Sequence, residues 1–347
     1  MRAAIYHSAG QVAVDDVPDA TLGSAKDAVV TVLRSCVCGS DLWAYRGIIQ
    51  RAPGSRLGHE FIGIVDSIGA EVTTISVGDL VVAPFQWSDN SCQYCLDGLQ
   101  TSCLQGGTFG APDTDGGQGE AVRVPQADGT LVAVAGGLPE VGEELLPALL
   151  GLTDVMATGL HAAVLAEVGE GATVAVIGDG AVGLCAVLGA CRILGAERVI
   201  LMSRHPDRQQ IGRDFGATDI VTSRGASGVE AVRELTGGLG ARHVVEAVGT
   251  PESWEMALGM ARDGASIGAV GVPHTMPQLP LFEPFIHQLR ISLGIAPVRR
   301  YLPDLISRVT AGTLDPSPVF DLTLPLEQVA EGYAAMSARE SIKAMLV

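Results

Sequence analysis

The chain has 347 residues, 47% of them hydrophobic and 18% charged, which suits a globular protein with material for two domains. Its formal net charge of −17 argues against nucleic acid or an anionic membrane as a partner, because each requires a basic face. It has no signal-peptide pattern and no uninterrupted run of 18 apolar residues. We therefore expect a cytoplasmic protein that acts on small molecules.

Short β-prone runs separated by Gly, Pro and Asp occupy the chain up to about residue 155. Clear examples lie at residues 28–33, 61–65 and 80–83, and a further short strand is expected at the N-terminus. Runs of this length and spacing indicate a barrel or a sandwich rather than a parallel sheet.

The pattern changes from about residue 156, where apolar strands alternate with helices. Strands are predicted at residues 173–177, 199–202, 219–221, 243–245 and 265–268. This alternation predicts βαβ units and a parallel sheet that is buried on both faces. Beyond about residue 297, two more helices and a last strand at 344–347 follow.

A glycine-rich loop follows the first strand of this second region. The sequence Gly178-Asp179-Gly180-Ala181-Val182-Gly183 stands between a predicted strand and a predicted helix. That context favours a dinucleotide site, because the glycines permit a tight turn and a close approach of the backbone to a pyrophosphate. The alternative is a glycine-rich turn that binds nothing.

The end of the next predicted strand bears on the choice of cofactor. An NAD site carries Asp or Glu there to accept a hydrogen bond from the ribose 2′-hydroxyl. This chain has Ser203-Arg204-His205, in which Ser203 can donate to a 2′-phosphate and Arg204 can pair with it. We therefore predict NADP(H) over NAD(H). The alternative is that Arg204 is only a solvated surface residue.

Cysteine and histidine residues in the first region are candidates for metal binding. Cys38-Gly39-Ser40-Asp41 is followed by Gly58-His59-Glu60, and a catalytic zinc needs three protein ligands of this kind and an open position. A second group consists of Cys92, Cys95 and Cys103. Two other cysteines, Cys185 and Cys191, lie in an apolar predicted helix and are expected to pack in the core.

The run Gly58-His59-Glu60-x2-Gly63-x5-Gly69-x2-Val72 resembles the motif of zinc-containing alcohol dehydrogenases, in the medium-chain dehydrogenase/reductase family. With the Cys38 motif, the cysteine group and the glycine loop in the same order, the resemblance covers essentially the whole chain. It implies a GroES-like β-barrel catalytic domain over 1–155, with a zinc lobe around 89–103. A Rossmann domain would occupy 156–296, and residues 297–347 would return to the catalytic domain, leaving the active site in the cleft between them.

The resemblance also implies roles for individual residues. Cys38 and His59 would hold the catalytic zinc, Glu60 would lie beside it and could enter its coordination sphere, and Ser40 would receive the substrate proton. Asp154 resembles the third ligand of bacterial members, although an Asp at that position could instead cap a helix. His161, seven residues further on, is expected to pack in the core.

The second cysteine group resembles the last three positions of the structural zinc lobe, C-x2-C-x2-C-x7-C. The first position is Asp89, and a carboxylate oxygen can ligate zinc. We expect a structural zinc bound by Asp89, Cys92, Cys95 and Cys103. The alternatives are a water molecule as the fourth ligand or loss of the metal.

These features together predict a zinc-dependent oxidoreductase that transfers a hydride between an alcohol, or the matching aldehyde or ketone, and NADP(H). The family often has a His three residues after the serine, where this chain has Trp43. The proton path is therefore expected to be shorter or to run through water, and the site wall to be bulkier and more apolar. Alternatives are an NAD-dependent polyol, amino-alcohol or formaldehyde dehydrogenase, a zinc-free quinone or enone reductase, and a non-catalytic dinucleotide-binding protein. We expect a homodimer or homotetramer, with residues 290–293 as a candidate seam.

Overall fold

The computed structural model describes residues 1–112, 114–273 and 278–347. The chain forms two compact units, one made of Met1–Asp154 with Pro297–Val347 and the other of Val155–Ala296. The domain limits expected from the sequence differ from these by one residue, at position 155.

The first unit is built mainly of short strands. Its strands before the second unit are β1 (Arg2–Ser8), β2 (Gln11–Asp16), β3 (Ala28–Cys36), β4 (Ser55–Arg56), β5 (Phe61–Ile68), β6 (Leu80–Val82), β7 (Gln86–Trp87), β8 (Gly107–Thr108), β9 (Ala121–Val124) and β10 (Val132–Ala133). Short helices interrupt them, namely α1 (Asp41–Tyr45), α2 (Gln93–Leu96), α3 (Ala127–Thr130), α4 (Gly137–Val141) and α5 (Leu146–Gly151).

The second unit alternates strands and helices along the chain. The strands are β11 (Thr173–Ile177), β12 (Arg198–Met202), β13 (Asp219–Val221), β14 (Ala241–Glu246), β15 (Ala261–Ala269) and β16 (Arg290–Leu293). The helices are α6 (Val155–Leu165), α7 (Ala181–Arg192), α8 (Pro206–Phe215), α9 (Gly225–Leu235), α10 (Pro251–Met260) and α11 (Phe282–Ile286).

The C-terminal segment completes the first unit. It contains α12 (Val298–Thr310), β17 (Leu322–Leu324), α13 (Val329–Ala338) and β18 (Ala344–Leu346). β18 pairs with β3 in antiparallel fashion, so the last strand of the chain is a neighbour of one of the first.

Strand β3 organises the larger sheet of the first unit. It pairs with β5, β9 and β18, and the order along the sheet is β10-β6-β5-β3-β18-β17. Side chains on its inner face contribute to a core that contains the aromatic rings of Phe61, Phe109 and Trp87. The ring centroid of Phe109 lies 5.0 Å from that of Phe61 and 5.3 Å from that of Trp87. The antiparallel pairing of β3 with β5, β9 and β18 agrees with the prediction of a barrel or a sandwich rather than a parallel sheet.

The second unit is a parallel sheet with the order β13-β12-β11-β14-β15-β16. Four of the five residues of β11 are buried, as expected for a strand covered by helices on both faces. The strand order reverses between β11 and β14, and ligands of such sheets bind at the carboxyl ends of the strands where this reversal occurs. The predicted Rossmann fold is confirmed, and the glycine loop follows β11 at this reversal.

The segment Glu143–Leu165 is long and apolar enough to cross a membrane by length and composition. However, 72% of its most apolar window is buried inside the protein, and core helices pass the same test. Packing within the chain therefore accounts for most of this apolar segment.

Glycine permits the close packing of α6 on the second sheet. A β-carbon added at Gly268 of β15 would overlap with backbone atoms of Ala162 and Ala166. Backbone atoms cannot move aside as a flexible side chain can, so this position accepts only glycine without a shift of the helix.

We predict that Gly268→Ala lowers the free energy of unfolding by about 1–3 kcal/mol or more, as overpacking of a dense core does. Gly169→Ala is the matched control, because a β-carbon there meets no atom within 4 Å. Chemical denaturation of both variants measures the effect. Equal stabilities for the two variants would show that α6 is free to move away from the sheet.

Candidate metal centres and cofactor loop

Four potential metal ligands from three segments meet in the first unit. Cys38 lies just beyond β3, His59 and Glu60 directly precede β5, and Asp154 follows α5. β3 and β5 are antiparallel neighbours with Ser35 opposite Phe61, so the end of one strand and the start of the other lie side by side. One donor atom from each of the four residues lies within 4.8 Å of the others.

The distances between these donors suit a tetrahedral zinc. Cys38 Sγ lies 3.6 Å from Asp154 Oδ2, and His59 Nε2 lies 3.6 Å from the same oxygen. With usual Zn–ligand lengths, a tetrahedral site separates a sulfur and an oxygen ligand by about 3.6 Å and a nitrogen and an oxygen ligand by about 3.4 Å. Glu60 Oε1 is 3.9 Å from His59 Nε2. The side chains present therefore fit a zinc ion.

Asp41 supports the cluster from behind. Its Oδ1 lies 3.5 Å from Nδ1 of His59, and its Oδ2 accepts a hydrogen bond of 3.0 Å from the backbone N–H of Cys38. A carboxylate on the far nitrogen fixes the ring orientation of a metal-binding histidine and raises its basicity. Gln118 Nε2 also lies within 3.4 Å of Asp41 Oδ2, and Gln118 Oε1 accepts a hydrogen bond of 3.0 Å from Tyr333.

Glu60 makes a buried ion pair with Lys343. Lys343 Nζ lies 2.6 Å from Glu60 Oε1, and the two side chains are 1% and 0% exposed. The same ammonium group donates to the carbonyl of Val37 at 3.3 Å. Glu60 Oε2 is buried and has no hydrogen-bond partner among the described residues, so this oxygen is available to a further cation.

Burial and negative charge dominate the electrostatics of this cluster. Burial, with the charges of Glu60 and Asp154, raises the pKa of Cys38. Burial also raises the pKa of Glu60, although Lys343 opposes the effect. The pKa of His59 is well above its ordinary value because Asp41 and Cys38 outweigh the opposite effect of burial. These groups favour holding protons, and a divalent cation is the species that would replace those protons.

Ser40 stands at the start of α1, two residues from Cys38. Its hydroxyl does not cap that helix and has no hydrogen-bond partner among the residues that the structure describes. An uncommitted hydroxyl can exchange a proton with a ligand. Trp43 lies on the same short helix and is partly buried.

A second cluster consists of Asp89, Cys92, Cys95 and Cys103, again with one donor atom of each residue within 4.8 Å of the others. Cys92 Sγ lies 3.6 Å from Cys95 Sγ and 3.8 Å from Cys103 Sγ. Two thiolates on one tetrahedral zinc are separated by about 3.8 Å. This cluster also fits a zinc ion.

Backbone N–H groups donate hydrogen bonds to Asp89 and Cys103 of the second cluster and so favour the charged forms of these side chains. Asp89 Oδ1 accepts hydrogen bonds of 2.9 Å from the N–H groups of Ser91 and Cys92. Burial tends to raise the pKa of Asp89, but these donors outweigh it and hold the pKa well below its ordinary value. Cys103 Sγ accepts from the N–H groups of Asp89 and Gln105 at 3.2 and 3.4 Å. A carboxylate thus occupies the place of the missing first cysteine.

The glycine loop has the geometry that a dinucleotide requires. Gly178 has φ +117°, in the region that favours glycine, and a β-carbon at Gly183 would overlap with the carbonyl group of Gly178. A β-carbon at Gly180 would meet no atom within 4 Å, so the loop presents open backbone at the N-terminus of α7. Ala181 and Val182 begin that helix. The loop therefore fits a pyrophosphate held by helix N–H groups.

Ser203, at the end of β12, does not have the free hydroxyl proton that was expected to bind a 2′-phosphate. Ser203 is 1% exposed, and its hydroxyl donates a hydrogen bond of 2.9 Å to Asp179 Oδ2, so that proton is already used. Arg204 is exposed and His205 partly exposed. The side chain of Arg208, on α8, turns back to the loop and donates to the carbonyl of Asp179 at 3.3 Å.

The structure thus brings together Cys38, His59, Glu60 and Asp154, and separately Asp89 with its three cysteines. Sequence reasoning gave no role to Asp41, Asp179, Arg208 or Lys343. A signal existed for Lys343, since it is one of two lysines and stands within an otherwise apolar run at 342–347. Asp41 and Asp179 lie inside the recognised motifs, but only the folded chain shows what they contact.

Comparisons with known proteins agree on one family. The alcohol dehydrogenase GroES-like domain matches residues 24–135, and the zinc-binding dehydrogenase domain matches residues 181–310. A probable zinc-binding alcohol dehydrogenase of Mycobacterium tuberculosis is 37% identical over 98% of this chain and 86% of its own length. Zinc-type alcohol dehydrogenase B of Aspergillus flavus is 33% identical over 97% of this chain and 79% of its own length.

Solved structures give the same result for the fold. The alcohol dehydrogenase TADH from Thermus sp. ATN1 superimposes with a TM-score of 0.91 and 32% sequence identity. The match covers 100% of this chain and 99% of that one.

The number of zinc ions bound per subunit tests the assignment of the second cluster. We expect two zinc ions per subunit, and about one after Cys95→Ser, because loss of a ligand sharply weakens a structural site. The chelator concentration that removes the second zinc should be about tenfold lower, or lower still, for Asp89→Ala than for the parent. Cys191→Ser, outside both clusters, is the control. A parent protein that holds one zinc, with a content unchanged by Cys95→Ser, would contradict the assignment.

Proposed function

Because the chain belongs to the zinc-dependent alcohol dehydrogenases of the medium-chain dehydrogenase/reductase family, we propose that it transfers a hydride between a small alcohol, or the matching aldehyde or ketone, and NADP(H). The observation that carries the proposal is the meeting of Cys38, His59, Glu60 and Asp154 at zinc-ligand distances.

The roles of the residues follow from their chemistry. Cys38, His59 and Asp154 would hold the catalytic zinc, which when bound supplies Lewis acidity to a substrate oxygen. Asp41 orients His59 through its far nitrogen, and Lys343 holds Glu60 against the cluster. Glu60 keeps one oxygen, Oε2, toward which a cation can be drawn. Ser40 would take the hydroxyl proton of the alcohol while its own hydroxyl proton passes on to water, and the same relay would run backwards when a carbonyl compound is reduced.

The surroundings of Ser40 bear on the substrate. Trp43 replaces the histidine that many relatives carry three residues after the serine, so the proton leaves Ser40 by a route without that imidazole. An indole on the helix that begins after Ser40 would add apolar area near the reacting group. We propose that the site favours alcohols with an apolar substituent.

The preference for NADP(H) rests on Arg204. Its side chain is exposed, and its guanidinium has no hydrogen-bond or ion-pair partner among the described residues. A guanidinium binds phosphate in a bidentate manner. Ser203 no longer supports the preference, because its hydroxyl proton is directed to Asp179.

Exposed apolar residues support a homodimer or homotetramer. β16 is the last strand in the order of the second sheet, and an uncovered edge strand offers backbone groups to another chain. Large apolar side chains are exposed on and around it: Leu281, Phe282, Phe285, Ile286, Leu293 and Ile295. A patch of this kind marks an interaction surface more often than a solvated face.

The activity is tested with purified enzyme, NADP or NAD, and a panel of primary, secondary, aromatic and polyol substrates. We expect His59→Ala and Cys38→Ala to lose nearly all turnover, and Ser40→Ala to lower kcat by roughly 10²-fold or more, as removal of a positioned acid–base group does. A strong chelator should abolish turnover of the parent, and zinc should restore it. Cys191→Ser is the control for cysteine replacement. Turnover that survives both ligand substitutions would refute the metal-dependent mechanism.

The cofactor preference has its own test. Arg204→Ala should raise KM for NADP by about tenfold or more, the size expected for a lost charge-assisted pair, and leave KM for NAD nearly unchanged. Steady-state kinetics with both cofactors measures the two values. A parent enzyme that uses NAD more efficiently than NADP would overturn the preference.

A further inference from the structure

Asp179 is an acidic residue in a place where the cofactor would pass closely. It lies between Gly178 and Gly180 in the glycine loop, and it is 6% exposed. β11 and β12 are adjacent parallel strands with Ile177 opposite Met202, so the residues that follow the two strands lie next to each other. This register brings Asp179 against Ser203.

The contacts of Asp179 hold its carboxylate in one position. Oδ2 accepts hydrogen bonds from the Ser203 hydroxyl at 2.9 Å and from the backbone N–H of Arg204 at 3.4 Å. Oδ1 lies 3.7 Å from Nη1 of Arg208. A carboxylate has about four acceptor positions, so these contacts leave room for a further donor.

The position of the carboxylate in space, and not its position in the sequence, determines its effect on a bound ribose. In an NAD site, a carboxylate at the end of the second strand accepts from the ribose hydroxyls. Here that position is Ser203, which is uncharged, but a carboxylate oxygen from the glycine loop lies 2.9 Å from its hydroxyl. The negative charge that is missing from the end of β12 is thus supplied by the loop that follows the neighbouring strand, β11.

We infer that Asp179 is a specificity-determining residue of the cofactor site. Its carboxylate accepts hydrogen bonds from the adenosine ribose hydroxyls of NAD(H) and opposes a 2′-phosphate, and Arg204 acts in the opposite sense. The chain therefore binds NAD(H) as well as NADP(H), with a ratio set by these two side chains. The inference rests on the proposed cofactor site and does not depend on which alcohol is oxidised.

Direct binding of NADH and NADPH to the purified zinc-loaded enzyme, followed by cofactor fluorescence, tests this role. Asp179→Asn removes the charge and keeps an oxygen for the Ser203 hydroxyl. We expect it to shift the ratio of the two Kd values toward NADPH by about tenfold or more, since like charges in contact are strongly unfavourable. Arg204→Ala should shift the ratio toward NADH.

Asp219→Asn is the matched control. Asp219 pairs with Arg198 at 2.9 Å, at the opposite ends of β12 and β13 from the glycine loop, and its loss should leave the ratio unchanged. If Asp179→Asn folds poorly in a thermal melt, Asp179→Ser supplies the same charge removal with a smaller side chain.

Two results overturn the inference. One is a Kd ratio that stays within about twofold of the parent in the folded Asp179 variants, where removal of a contacting charge should exceed that change. The other is an equal shift in Asp219→Asn. Binding is measured without turnover, so the two proposals can fail separately. A parent that binds both cofactors but oxidises no alcohol would refute the proposed activity, while the Kd ratios of its variants would still test the role of Asp179.

Discussion

The buried ion pair between Lys343 and Glu60 is the interaction on which the metal cluster depends. An isolated carboxylate or ammonium group in a protein interior costs several kcal/mol, so neither side chain would be stable there without the other. Lys343 immediately precedes β18, and β18 pairs with β3 so that Met345 lies opposite Cys36. The same strand pairing therefore brings the ammonium group to Glu60 and holds the segment that carries Cys38.

The charges of the cluster explain how a lysine can be buried in so apolar a stretch. Burial alone would lower the pKa of Lys343, but Cys36, Glu60 and Cys38 raise it well above its ordinary value. The ammonium group balances one of the negative charges that collect around His59. The remaining excess of negative charge would favour a divalent cation at this place, because thiolate and carboxylate ligands bind metal in their deprotonated forms.

Features that depend on local pattern were predictable from the sequence. The parallel sheet and the glycine loop follow from apolar strands alternating with helices, and the predicted strands at 173–177 and 219–221 have the same limits as β11 and β13. The candidate ligands Cys38 and His59 stand in short motifs. Lys343 was not predictable in its role, because its partner is 283 positions away and only the pairing of β18 with β3 brings them together. Asp41 was missed for a related reason, since a carboxylate behind a histidine leaves no spacing signal.

The contacts of Ser203 differ from those that its position in the motif predicts. A motif assigns a property to a position in the chain, whereas a bound phosphate responds to the charges around it in space. The sequence has no carboxylate at the end of β12, yet Asp179 lies within hydrogen-bond distance of that residue because two parallel strands end side by side. The hydroxyl that was expected to donate to a phosphate donates to a carboxylate instead. In the proposed cofactor site, Asp179 and Arg204 would act on a 2′-phosphate in opposite senses, so no single position after β12 would determine the choice of cofactor.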